Sequence, residues 1–145
     1  MGTRSDIIVK LTNGTYARVY CHWDGYLSHN GVMLRDHYAT QAKAEKLVKH
    51  GDISLLEPKC IKPKGHTFDS PVKGYCIYYG RDRGEKGTGP TGYGNLNRAL
   101  REDLNEYTYY WDGIGWLVMD EDGKFVDLAE AIKAEAAEKE AAKAA

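Results

Sequence analysis

His22 and Asp24 stand two residues apart at the end of an apolar-polar alternation, in Tyr20-Cys21-His22-Trp23-Asp24-Gly25-Tyr26. An imidazole beside a carboxylate can hold and pass a proton near neutral pH. A second dense set, Arg81-Asp82-Arg83-Gly84-Glu85, follows Tyr78-Tyr79-Gly80. Guanidinium groups grip phosphate through two parallel hydrogen bonds. Asp82 and Glu85 would orient the two arginines or bind ribose hydroxyls. Each set begins as a strand and ends at a glycine turn, and loops on a rigid scaffold are where binding and catalysis usually sit. Together the two sets offer aromatic faces, two arginines, three carboxylates and an imidazole, an inventory suited to a phosphate-bearing or otherwise anionic ligand. The candidate ligand-binding residues are Arg4, Tyr20, Trp23, Tyr26, Tyr79, Arg81, Asp82, Arg83 and Glu85. His22 and Asp24 complete the polar lining, or serve as acid-base pair if the chain is an enzyme.

Other chemistries find less support. Ser5 has no glycine-flanked nucleophile elbow around it. The spacing of His22, His29 and His37 matches no metal-ligand pattern, and no metal or cofactor is expected. Residues 84–95 carry five glycines but lack the Gly-Lys-Ser/Thr ending of a P-loop. Pro90 removes one amide donor there. That stretch reads as a mobile lid or a connection.

The elements that must position these residues follow from local patterns. Asp6–Leu11 and Tyr16–His22 read as a hairpin about Asn13-Gly14, the strongest short-range hairpin signal. A two-residue loop would set Leu11 opposite Tyr16, Ile7 opposite Tyr20 and Ser5 opposite His22, with Arg4 near Trp23. Thr3-Arg4-Ser5 would then lie beside His22-Trp23-Asp24, and the two charged clusters would border one concave surface. Helices are predicted over Val32–Tyr38, over Gln41–His50 with Thr40 as cap and Gly51 as stop, and over Leu96–Glu106. Val72–Gly80 reads as a strand. Tyr107–Trp111 and Trp116–Asp120 form a second hairpin, and Asp127 opens a last helix. Beyond Ile132 only Ala, Glu and Lys remain, so residues 133–145 read as an exposed helical tail on a single domain of residues 1–132. The fold class is α+β, a small mainly antiparallel sheet of four or five strands with helices packed on one face.

The chain of 145 residues carries 20 Lys+Arg against 21 Asp+Glu, a balance that argues against a dedicated duplex-nucleic-acid binder. No apolar run approaches the roughly 20 residues of a membrane span. The N-terminus lacks the pattern of a signal peptide. Three cysteines without metal spacing read as reduced thiols of a cytoplasmic protein. Eleven Tyr against two Phe is an uneven aromatic balance. Tyrosine adds a hydroxyl that needs a partner, and it also suits a half-exposed sheet.

Gly2-Thr3-Arg4-Ser5, Val19 to Tyr26, Gly51-Asp52-Ile53-Ser54 and Tyr79 to Glu85 together resemble an uncharacterised family of small proteins from tailed phages, prophages and bacteria. The resemblance covers roughly residues 2–120. It carries no established activity, ligand or fold. It implies a phage or mobile-element setting and action in the bacterial cytoplasm, where nucleotide signals of host defence are common targets. Three readings stay open: capture of an anionic nucleotide-like ligand, a phosphodiester-acting enzyme with His22 as acid or base, and an inhibitor that binds a host protein.

Overall fold

The computed structural model describes residues 2–101 and 103–144. Strands β1 (Ser5–Lys10) and β2 (Tyr16–Cys21) form the first hairpin. A π-helical turn (Leu27–Gly31), α1 (Val32–His37) and α2 (Gln41–Val48) follow. The Thr40 side chain accepts from the Lys43 amide, and Gly51 closes the segment at φ +85°, as expected from the cap and stop residues. Next come β3 (Ile53–Leu55), β4 (Ile77–Tyr78), α3 (Tyr79–Arg83), β5 (Thr91–Tyr93) and α4 (Leu96–Ala99). The chain ends in β6 (Tyr107–Trp111), β7 (Trp116–Met119), β8 (Phe125–Asp127) and α5 (Leu128–Ala144).

The fold is α+β. Its sheet is larger than the sequence suggested, with eight strands among the described residues in the order β4-β3-β2-β1-β6-β7-β8, and β5 also pairing β2. It is mixed, because β1 runs parallel to β6 and β2 parallel to β3. The predicted strand over Val72–Gly80 shrinks to Ile77–Tyr78, and Tyr79 already begins a helix. The predicted helix over Leu96–Glu106 stops at Ala99. Arg18 caps this early stop: its guanidinium donates to the carbonyls of Ala99 at 2.9 Å and Asp103 at 2.9 Å.

The first hairpin differs in register by one residue. Leu11 N–H donates to Thr15 at 2.8 Å and Gly14 N–H to Leu11 at 2.9 Å, with Gly14 at φ +86°. This is a three-residue loop ending in a left-handed glycine, the other common use of Asn-Gly. The Asn13 carboxamide oxygen accepts from the Thr15 amide and hydroxyl, which favours that turn. Ser5 therefore faces Cys21, Ile7 faces Val19 and Val9 faces Ala17. The physical reason is burial. This register stacks every apolar residue of the hairpin's inner face, whereas the expected one would have set Val9 against Arg18.

That inner face meets α1, α2 and α5 in the main core, where Leu34, Leu47 and Leu128 are buried. Each such side chain stabilises the fold by about 1.5–3 kcal/mol. A smaller core on the opposite face joins Ile8 and Tyr110 to Ala99 of α4. Helices thus occupy both faces, three on one and the short α4 on the other. Three buried tyrosines explain part of the aromatic balance: the hydroxyls of Tyr38, Tyr78 and Tyr109 donate to the carbonyls of Glu57, Leu47 and Gly25 at 2.6, 2.7 and 2.6 Å. They tie α1 to the segment after β3, β4 to α2, and β6 to the loop after β2. Among the described residues no helix is long and apolar enough to cross a membrane.

Candidate functional site

The N-terminal segment does lie against the end of β2, despite the altered register. Gly25 N–H donates to Thr3 at 2.8 Å. A Cβ at Gly2 would stand 2.6 Å from the His22 carbonyl and 2.7 Å from the Trp23 ring, so only glycine fits. Beyond β2, His22 and Trp23 continue the ladder by donating to Ile53 at 3.0 Å and Ser54 at 3.1 Å. The Trp23 ring sits edge-on to His22 at 4.7 Å and is 42% exposed. Arg4 is exposed, and its guanidinium pairs with Glu106 at 3.4 Å. Ser5 is fully buried and its hydroxyl accepts from the Asn30 side chain at 3.1 Å, which removes it from any role with His22.

His22 and Asp24 do not form a pair. The Tyr20 hydroxyl contacts His22 Nδ1 at 2.5 Å, while the Asp24 carboxylate accepts from the Tyr26 hydroxyl at 2.9 Å. Asp24 also holds φ +56°, the single left-handed non-glycine among the described residues, which turns its side chain into the local loop. Burial raises the Tyr20 phenol above its ordinary range, with Tyr79 adding to the rise and Arg4 opposing it. The phenol therefore stays protonated. In the tautomer where it donates to Nδ1, the imidazole carries its proton on Nε2 and offers a donor, not a base.

Asp52 is the residue that sequence reasoning missed. Its carboxylate accepts from Tyr20 N–H at 2.9 Å. Its carbonyl accepts from Tyr79 N–H at 3.2 Å, and its own amide donates to Thr88 at 2.7 Å. One residue thus joins β2, α3 and the glycine-rich loop. Burial raises its carboxyl pKa, partly offset by the Tyr20 amide. The signal available beforehand was Gly51-Asp52 itself, a helix-stop glycine before an acid. With Thr91, Tyr93 and Asn105, Asp52 and Tyr20 line a groove of about 390 Å³.

The second cluster divides in two. Arg81 turns inward: its guanidinium donates to Cys60 at 2.7 Å, to Cys76 at 3.2 Å and to both Asp82 oxygens, and it stacks on Tyr78 at 4.6 Å. The Asp82 side chain is fully buried and also receives the Tyr78 amide at 2.8 Å. His66, also buried, faces Asp82 at 3.2 Å through Nε2 and accepts from Val72 N–H at 2.9 Å through Nδ1. This network fastens the irregular 58–75 segment to α3. Arg81 and Asp82 are structural, not open to a ligand. Arg83 and Glu85 are the exposed half, paired at 3.0 Å with side chains 46% and 41% exposed. Arg83 also lies over Phe68 at 4.4 Å and Tyr79 at 5.2 Å.

Burial pushes the Asp82 carboxyl up, but the donors from Arg81 and the Tyr78 amide outweigh it and hold the group below its ordinary value. A depressed folded pKa contributes stability above the unfolded value, and that contribution is lost as pH falls through the folded one. The expected result is that parent and Asp82→Asn differ most in unfolding free energy near neutral pH and converge below about pH 4. Urea unfolding across pH checks it. A constant gap would show that Asp82 is not the acid-sensitive group.

The glycine-rich loop is pinned first at Thr88. Gly51 packs so closely that a Cβ there would stand 2.0 Å from the Thr88 carbonyl, and one at Gly80 would meet the Thr88 hydroxyl at 2.9 Å. Residues 91–93 then pair with β2 as β5. The segment is thus anchored at Thr88 and again at β5, as a connection is.

Among the described residues no group of three or more His, Cys, Asp or Glu is placed to hold a metal ion. The three cysteines are free and buried, and burial pushes the Cys21 thiol up to about 12 and Cys76 to about 11. Such thiols are poor nucleophiles. No protein-family model, curated protein or solved structure matches the chain.

Proposed function

We propose that the chain captures an anionic, nucleotide-like small molecule on the face formed by Tyr20, His22, Trp23 and Tyr79, with Arg4 and Arg83 as its cations. The observation that carries this reading is the way those two arginines are held. Each has one exposed carboxylate partner, Glu106 or Glu85. Exposed pairs of this kind contribute about 0–1 kcal/mol, so a phosphate can displace the carboxylate at little cost. Trp23, Tyr26 and Tyr79 supply stacking surface, and the groove beside Tyr20 has the volume of a small-ligand site. Asp52 would accept from ribose hydroxyls there. The resemblance to tailed-phage proteins supports sequestration of a host nucleotide signal as the biological setting.

A panel of cyclic and linear nucleotides, titrated calorimetrically and recovered by heating, tests the reading. Intact recovered ligand is the expected result. Arg4→Ala and Arg83→Ala should each weaken binding about tenfold or more, since a charge-assisted contact contributes about 1.5–3 kcal/mol. Arg83→Lys should restore only part. His22→Ala should have a smaller effect on affinity. A converted ligand would replace capture with catalysis, and unchanged affinity in both arginine variants would remove the clamp.

A further inference from the structure

A second concavity, of about 790 Å³, lies between α5 and the β7–β8 hairpin and borders the proposed ligand face at Thr3 and at Glu106, the partner of Arg4. Its floor is apolar. Val118 and Val126 pair across β7 and β8, and exposure rises from 4% at Val118 to 37% at Val126. Met119, Ala131 and Ala134 continue that floor. Around it stand six carboxylates, from Glu106, Asp120, Glu121, Asp122, Glu135 and Glu138, and the lining contains no Lys or Arg. On a chain whose formal net charge is −1, this is a marked local separation of sign.

Some of those acids have partners. Glu106 meets Arg4, Glu135 meets Lys139 at 3.2 Å, and Asp120 accepts the amides of its own turn. Glu121, Asp122 and Glu138 have no ion pair among the described residues. An apolar floor inside an acidic rim selects its occupant by charge. A small anion is repelled, and an acidic or purely apolar segment gains nothing from the rim. A helix with leucine-like residues on one face and lysine or arginine beside them satisfies both.

We propose that this groove docks a basic amphipathic helix of a partner protein. The Ala/Glu/Lys end of α5 then has a purpose: Ala134, Glu135 and Glu138 extend the wall of the groove beyond the point where Leu128 and Ile132 seat the helix on the core.

The test uses a designed peptide of about 14 residues, four helical turns, with Leu on one face and Lys on the flanks. Its binding to the full chain is read by fluorescence anisotropy and by amide chemical-shift changes. Expected are saturable binding, shifts centred on Val118, Val126 and Ala134, and at least a tenfold loss in a Glu121→Lys, Asp122→Lys, Glu138→Lys variant. Those positions are exposed, so that variant should retain the parent's melting temperature, which is measured alongside. The same peptide with Glu in place of Lys should not bind. Absence of binding by the Lys peptide overturns the proposal. So does equal binding by the Glu peptide, or shifts elsewhere on the surface. Concentration-dependent self-association abolished by the triple variant would assign the groove to a second copy and also overturn it.

Discussion

Asp82→Ala is expected to destabilise the protein by about 3–5 kcal/mol, the range for breaking a buried ion pair by removing one partner. The carboxylate is fully buried and receives Arg81, Tyr78 N–H and His66. Alanine leaves a largely buried guanidinium with only two carbonyls, and leaves an amide and an imidazole facing an empty space. Glu85→Ala, three residues on, should cost less than about 1 kcal/mol because its pair with Arg83 is exposed. Arg81→Lys should not rescue what Arg81→Ala loses, since an ammonium cannot reach two carbonyls and a carboxylate together. Urea unfolding of the set decides the matter. An Asp82→Ala variant within about 1 kcal/mol of the parent would mean that Arg81 is held by something other than this network. The contrast bears on binding too: arginine variants must be separated into those that unfold the protein and those that spare the fold and lose ligand.

Gly51→Ala should be comparably severe, at about 3 kcal/mol or more. Two effects add. The left-handed φ of +85° costs a side chain about 1–2 kcal/mol, and the new Cβ would collide with the Thr88 carbonyl at 2.0 Å. The loop has to lift, which breaks the Asp52-to-Thr88 bond and frees residues 84–90. Limited proteolysis should then cut in that stretch at least several-fold faster than in the parent. Gly14→Ala supplies the control, because its φ is also left-handed but no atom lies within 4 Å of the added carbon. Equal losses at both glycines would attribute the effect to backbone conformation alone and leave the loop contact without importance.

Both predictions concern residues of the motifs that the sequence singled out, and both assign them structural work. The sequence marked Arg81 and Arg83 as equivalent phosphate ligands because type and spacing are all it offers. The fold separates them: Arg81 is drawn inward by carbonyls of Cys60 and Cys76, and Arg83 is left outside on Phe68 and Tyr79. His22 and Asp24 likewise looked like a proton-transfer pair. Tyr20, on the same strand face, takes the imidazole, and Tyr26 takes the carboxylate. Asp52 was passed over because its partners come from β2, α3 and the loop at once.

What the sequence determined by itself is local. The caps at Thr40 and Asp127, the stop at Gly51 and the second hairpin about Asp112-Gly113 all arise from interactions within a few residues, and they stand as read. The α+β class follows from the alternation of such elements. Tertiary structure decided the rest. The first hairpin's register agrees with which residues α1, α2 and α5 cover, and Asn-Gly alone did not distinguish the two-residue loop from the three-residue one. The parallel pairing of β1 with β6 joins segments about a hundred residues apart, and no local pattern encodes it. Asp6 is satisfied by Arg18 and by Asn105, the latter 99 residues away. Polar side chains are assigned their partners by desolvation: once burial removes water, each donor and acceptor must be met by whatever the fold brings near. Only the assembled sheet settles which those are.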